Sequence, residues 1–286
     1  MNRLFEREED MFHLDTNVWE LTSYNSEQCV RLKKGYIGQI DLPTGLLSCY
    51  SMFADMDIPE GCYLGNFDTS QVKDMSHMFY NATIPQGFCL NKVLDTRLVE
   101  DMSSMFAFAT LPDDFDLGDN FYTSRVRDMA NMFAGTTLPS GFKLGEGFDT
   151  ARVDCLAGAF TACDLSKCSE LAPLIVIREH AAASKMFYGA KLSFDIVNLQ
   201  KFTIGETADV TDFLTEAKVD DYWLSDMFKT EFRGTNVTIN TQLNDSVNTS
   251  EQKYDFNRLY DIPKASVINC ETLEELMDKI KEYCKV

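Results

Sequence analysis

Residues that could do acid–base or nucleophilic chemistry are few in this sequence and widely separated. The three histidines are His13, His77 and His180. Within an internal repeat, His77 occupies a position that holds Ser104 and Asn131 in other units, and His180 one that other units fill with valine. No catalytic-triad signature, H-E-x-x-H, phosphate-binding glycine loop or G-x-G-x-x-G is present. The sequence therefore favours a protein that is not an enzyme and needs no cofactor.

Carboxylates recur at one position of the repeat, as Asp74, Asp101 and Asp128, with Cys155 in the fourth unit. A ladder of carboxylates could bind calcium, which takes about six to eight oxygen ligands. Each aspartate is a whole unit away from the next, however, and no glycine-aspartate loop lies beside it. Hydrogen bonding to neighbouring backbone groups is the favoured explanation, and no metal site is predicted.

The nine cysteines are irregularly spaced and include no C-x-x-C pair. Cys155, Cys163 and Cys168 do not match a zinc-ligand pattern. Reduced thiols that mostly fill the core are the favoured interpretation, and they are consistent with a reducing compartment.

The dominant feature is a repeat of about 26–27 residues, each unit marked by a Met-Phe pair or its equivalent. Four blocks align without gaps: FDTSQVKDMSHMF (67–79), LDTRLVEDMSSMF (94–106), FYTSRVRDMANMF (121–133) and FDTARVDCLAGAF (148–160). A second signature of the type IPQGFCLN recurs in step, from residues 58, 84, 111 and 138. The frame continues weakly to Phe187 and Phe213, after which the register is lost. A period of this kind indicates a solenoid.

Each unit can be interpreted as two short elements. Apolar residues at positions 72, 75, 78 and 79 follow helical spacing, and Thr69 or Ser70 is a plausible N-cap. Pro85 would end that helix. Alternate apolar residues then follow, such as Phe88 and Leu90, which predict a short strand with one face in the core. Because strands stack at about 4.8 Å and helices at about 8–10 Å, we expect strands on the concave side.

The predicted fold class is therefore an α/β repeat solenoid, leucine-rich-repeat-like, with one short strand and one short helix per coil and with terminal caps. Residues 1–48 would form the N-terminal cap and 49–213 the repeat solenoid. Residues 214–286 would hold a divergent repeat and a C-terminal cap, ending in an amphipathic helix at 272–284 that has an apolar stripe and a capping box.

The motif F-D-T-S-x-V-x-D-M-x-x-M-F resembles the unit of BspA-like leucine-rich-repeat surface proteins, found in bacteria including mycoplasmas. The resemblance covers roughly residues 49–213. It implies a leucine-rich-repeat-like solenoid with a role in adhesion or protein binding rather than catalysis.

Charge and hydropathy limit the partners and the location. The net charge is −19 and the isoelectric point about 4.5, with the acidic residues scattered, so we expect no nucleic-acid binding. The first residues do not resemble a secretion signal, and no apolar run is long enough to insert in a membrane. A cytoplasmic or virion-associated location is expected, or the cell surface if a leader has been removed.

The residues between the core positions are the candidates for recognition. On each predicted strand, the residue between two core residues would point outward. These five are Tyr63, Cys89, Asp116, Lys143 and Glu170. They differ in type while the core columns stay constant, which favours a non-enzymatic scaffold that binds a protein or glycan partner, although an ordinary solvated face gives the same pattern. A structural subunit of a larger assembly such as a phage particle is the alternative, and an active site after residue 214 a third. The partner's identity and the oligomeric state stay open.

Overall fold

The computed structural model describes residues 4–168, 175–192, 202–205, 207–211, 217–219 and 241–243. Ten strands lie within these ranges: β1 (Trp19–Tyr24), β2 (Glu27–Leu32), β3 (Gln39–Ile40), β4 (Tyr63–Leu64), β5 (Asp164–Leu165), β6 (Ile175–Ile177), β7 (Lys191–Leu192), β8 (Phe202–Ile204), β9 (Ala217–Val219) and β10 (Thr241–Leu243). Two 3₁₀ helices span Glu8–His13 and Leu90–Lys92. The helix expected at 272–284 and the candidate residue Glu170 lie outside the described residues.

Consecutive units pair with each other in parallel. One ladder of bridges joins equivalent residues of successive units: Ser48, Asp74, Asp101, Asp128, Cys155, Ala182 and Asp209. A second ladder starts at Asp57, Thr83 and Thr110, and in later units becomes a parallel sheet with the strand order β10-β9-β7-β5. Lys191 pairs with Lys218, and Ala217 with Thr241. Backbone pairing between units therefore continues beyond residue 213, where the sequence pattern is lost.

The Met-Phe segments, defined as the residues from one bridge ladder to the other (74–83 in the second unit), are runs of turns. The helix predicted there is wrong. The N–H groups of residues 75, 77, 79 and 81 donate to carbonyls of the next unit, at 2.8–2.9 Å. Those of residues 78, 80 and 82 close turns on carbonyls three residues back, at 3.0–3.2 Å. An α-helix would direct these donors to carbonyls four residues back within one segment, but here four of the seven bond to the next unit.

Two backbone positions in each Met-Phe segment explain why a helix cannot form. Both have φ between 51° and 67° in all six units. The first position holds Ser51, His77, Ser104, Asn131, Gly158 and Lys185, and the second Asp55, Asn81, Phe108, Gly135, Ala162 and Gly189. A right-handed helix requires φ near −60°, so two left-handed residues four positions apart in each segment exclude it.

The phenylalanines that end the repeat motif form a continuous stack through the core. Successive rings from Phe53 to Phe187 lie 5.0–5.6 Å apart, with planes within 11° of parallel. The Met-Phe side of the units therefore repeats at close to the spacing of β-strands. We expected a bend because helices on this side would pack about 8–10 Å apart, farther than the strands on the other side. Without helices here, there is no such difference in spacing to cause it.

On the other side of each unit, the expected alternation of burial is present but the expected strands are largely absent. Residues 115–117 and 142–144 have no regular secondary structure, and Leu90 starts a 3₁₀ helix. Among the predicted strand positions that the structure describes, only β4 forms, paired in parallel with β3. Pro85 and its equivalents accept a turn hydrogen bond from the residue three positions on, which bends the chain locally. The apolar residues Phe88 and Leu90 nevertheless reach the core.

A column of buried threonines joins the units and corrects the N-cap prediction. The hydroxyl of Thr69 donates to the carbonyl of Asp95 at 3.0 Å and accepts from the Asp95 N–H at 2.8 Å. The same pair of bonds links Thr96 to Tyr122, Thr123 to Asp149 and Thr150 to Val176. Each hydroxyl therefore bridges to the next unit instead of capping a helix in its own.

The hairpin formed by β1 and β2 lies against the first unit. Trp19 contacts Phe53, with ring centroids 6.2 Å apart, and so covers the end of the phenylalanine stack. The N–H of Leu32 donates to the Met52 carbonyl at 3.1 Å, and the Arg31 guanidinium donates to the Ala54 carbonyl. The carbonyls of the first unit thus find donors in the hairpin, because no preceding unit supplies them.

Candidate partner-binding site

The residues proposed for recognition are exposed wherever the structure describes them. Tyr63 is 52% exposed, and Cys89, Asp116 and Lys143 are also exposed. The flanking apolar residues are buried, as the alternating pattern predicts, except Leu64, which is half-buried. Phe115 and Phe142, which directly precede Asp116 and Lys143, pack with ring centroids 5.8 Å apart. Asp116 and Lys143 therefore occupy adjacent levels of the stack.

These exposed residues differ in how far they are engaged with the rest of the chain. Asp116 accepts hydrogen bonds from Asn91 Nδ2 and from the Gly118 N–H, both at 2.9 Å. The Tyr63 hydroxyl lies 3.4 Å from Gln39 Oε1. Within the described residues, the side chain of Lys143 makes no hydrogen bond or ion pair. Asp116 thus has a structural role as well, whereas Lys143 is free to meet a partner.

The aspartate ladder is built from local hydrogen bonds. Asp101 Oδ1 accepts from the Ser103 N–H at 2.8 Å, and Asp128 Oδ1 accepts from the N–H two residues on, also at 2.8 Å. Asp74 additionally accepts from the hydroxyls of Ser76 and Ser48, at 2.6 and 2.9 Å. These bonds match the structural role that the sequence favours. No group of three or more metal-binding side chains occurs among the described residues.

Burial sets the protonation of several groups in the units. It raises the pKa of Asp101, and the neighbouring carboxylates of Asp74 and Asp128 raise it further. Burial likewise raises the pKa of the Cys49 and Cys163 thiols, which favours the protonated, unreactive form. None of the cysteines in the described ranges forms a disulfide.

A row of aromatic side chains on the outer side of the Met-Phe segments is a feature that sequence reasoning missed. We call it the aromatic row: Tyr24, Tyr50, His77, Tyr80 and Phe108. Neighbouring centroids lie 5.4–6.2 Å apart along the whole row. Tyr24 lies in β1, outside the repeat, and the other four come from different columns of the repeat, so periodicity does not reveal the row. Tyr50 is buried, Tyr24, His77 and Tyr80 are half-buried, and Phe108 at the end of the row is 54% exposed.

His77 lies in the middle of the aromatic row, between Tyr50 and Tyr80. Its Nδ1 atom is buried without a hydrogen-bond partner, and burial lowers the pKa of the imidazole. The neutral ring is therefore favoured, which suits packing between aromatic rings. At the far end of the row, the Tyr24 hydroxyl donates to Asp55 Oδ2 at 2.7 Å.

The comparisons with known proteins give one match. The family described as "Mycoplasma protein of unknown function, DUF285" matches residues 47–172 and 119–227, which together span well over half of the chain. The chain belongs to this family. A search of curated proteins and a search of solved structures found no match. Within the described residues, no helix is long and apolar enough to cross a membrane. The DUF285 match covers every unit from Phe53 to Phe187.

Proposed function

We propose that this DUF285 chain is a non-enzymatic, leucine-rich-repeat-like solenoid scaffold that binds a protein partner, in the manner of an adhesin. The units supply a rigid frame, because two bridge ladders, a threonine column and a phenylalanine stack join each to the next. The relation of the family to BspA-like surface proteins supports an adhesive role.

The observation that carries the proposal is the contrast between constant core columns and variable exposed ones. The residues on either side of Cys89, Asp116 and Lys143 are large, apolar and buried in each unit. The exposed residues between them are a thiol, a carboxylate and an ammonium group. Repetition of the frame with unlike exposed groups is typical of repeat proteins that recognise another macromolecule.

Charge reversal at a free position tests the proposal. A panel of purified extracellular and cell-surface proteins would be titrated on the immobilised full chain, and we expect at least one saturable interaction. Lys143→Glu should weaken it about tenfold or more, since interface charges commonly contribute on this scale. Lys34→Glu is the matched control, because Lys34 is also exposed but lies in the N-terminal segment.

Equal effects of the two substitutions would contradict binding at the Lys143 face, and so would the absence of any partner in the panel. Asp116→Lys is a poor test, because it removes the hydrogen bonds to Asn91 and Gly118 as well as the charge.

A further inference from the structure

Phe108 is unfavourable for folding on two counts. Its backbone has φ of +60°, and its side chain is 54% exposed. The equivalent positions hold Asp55, Asn81 and small residues, which tolerate the left-handed region better than a bulky aromatic residue does. An exposed aromatic ring held in a strained conformation is a feature that often marks a functional site.

The next unit provides room for this ring. Gly135 follows Phe108 by one unit, and a Cβ atom there would lie 2.5 Å from Phe108 Cδ1. Any side chain at position 135 would therefore displace the ring. On the other side, the Phe108 ring meets Tyr80 edge-on, with centroids 5.8 Å apart, which connects it to the aromatic row.

A cavity of about 290 Å³ opens beside Phe108. The Phe108 ring lines this cavity together with five polar or charged side chains, those of Thr110, Asp113, Thr137, Ser140 and Lys167. All five are exposed. Within the described part of the chain, none of these side chains makes a hydrogen bond or an ion pair, whereas the equivalent Thr83 donates to Asp57 at 2.6 Å. The cavity therefore combines one aromatic ring with unpaired donors and acceptors of both charges.

We propose that this cavity binds a neutral saccharide, with a sugar ring against Phe108 and its hydroxyls on Thr110, Thr137 and Asp113. A sugar has an apolar C–H face for an aromatic ring and hydroxyls that both donate and accept. A purely apolar ligand would leave the threonine and aspartate groups unpaired, which weakens binding. A strongly anionic ligand would be repelled by Asp113 and by the chain's net charge of −19.

The site goes beyond the proposed protein-binding face, because none of Cys89, Asp116 and Lys143 lines the cavity. The aromatic row leads from the cavity across the preceding units, and a longer oligosaccharide would extend along it through His77 and Tyr80.

Calorimetry on the full chain tests the proposal with chitotetraose, cellotetraose, maltotetraose and N-acetyllactosamine, and with a heparin tetrasaccharide as the sulfated comparison. We expect at least one neutral probe to bind. Phe108→Asn should weaken that binding about tenfold, by analogy with the loss of an aromatic stacking partner. Thr137→Val should weaken it about threefold or more, as for one lost hydrogen bond.

Thermal unfolding separates this role from a structural one. Asparagine tolerates φ of +60°, so Phe108→Asn should not lower the melting temperature. Ile37→Asn, which removes another exposed apolar side chain (64% exposed), should leave saccharide affinity unchanged. Binding of the sulfated probe alone, binding of none, or unaltered affinity in both Phe108→Asn and Thr137→Val would overturn the proposal. None of these results would affect the Lys143 test of protein binding.

Discussion

Phe79 and Phe106, equivalent residues of consecutive units, stack with ring centroids 5.4 Å apart and ring planes 1° from parallel. This spacing means that the Met-Phe side of the molecule repeats at nearly the distance of hydrogen-bonded strands. The backbone achieves it through turns whose spare N–H groups bond to the next unit, which a helix could not provide. The phenylalanine stack and the ladders of bridges are therefore consequences of the same backbone conformation.

Phe106→Ala should lower the free energy of unfolding by about 3–5 kcal/mol, since the side chain is completely buried and a cavity would remain. Urea unfolding followed by fluorescence measures the change. Phe108→Ala, only two residues away but at an exposed position, is the control and should cost far less. Similar losses for both variants would show that the stack does not dominate the packing.

Thr123→Val should cost roughly 1–3 kcal/mol, because it leaves the Asp149 N–H and carbonyl without the hydroxyl of the buried Thr123 as their partner. Thr123→Ser, which keeps the hydroxyl, should lose much less. Thr137→Val, at an exposed threonine, serves as the matched control in the same chemical-denaturation series. If Thr123→Val were as stable as Thr137→Val, the threonine column would not hold the units together.

Asp101→Asn should change the pH dependence of stability. The pKa of Asp101 is raised in the folded protein, so ionisation of this group opposes folding. The stability that protonated Asp101 contributes is fully present below the pKa of this group in the unfolded state. It is lost as pH rises through the pKa of the folded state. The asparagine variant keeps an acceptor for the Ser103 N–H, and should therefore gain stability over the wild type at pH 7 but not at pH 3. Unfolding curves at both pH values measure it, and a gain that is equal at both would refute the assignment.

Arg31→Met should selectively loosen the first unit. The guanidinium donates to the Ala54 carbonyl and lies 5.2 Å from the centroid of the Tyr24 ring. Hydrogen exchange should accelerate at the amides of residues 51–55 more than at those of residues 129–133, which lie two units or more from the hairpin. Uniform acceleration along the chain would indicate a global loss of stability rather than an uncovered end.

The repeat and its core columns could be predicted from the sequence, because constant apolar residues at a fixed period directly reflect burial. The conformation of the Met-Phe segments could not, since the spacing of Val72, Met75 and Phe79 fits a helix as well as a run of turns. A signal was present in Asn81, Asn131 and the glycines, which favour the left-handed region. The partners of Thr69 lie a whole unit away, so local sequence suggested a helix cap instead. The aromatic row was missed because its members share no column.

A spin-label distance between positions 57 and 191 tests the stacked-unit account most directly. Asp57 and Lys191 lie on the second bridge ladder, five units apart. At the strand spacing of about 4.8 Å per unit, the account predicts a narrow distribution near about 24 Å, before allowance for the label arms. Labels introduced through non-natural residues leave the nine cysteines intact. A distance near about 40–50 Å, as for helices packed 8–10 Å apart, would contradict the account.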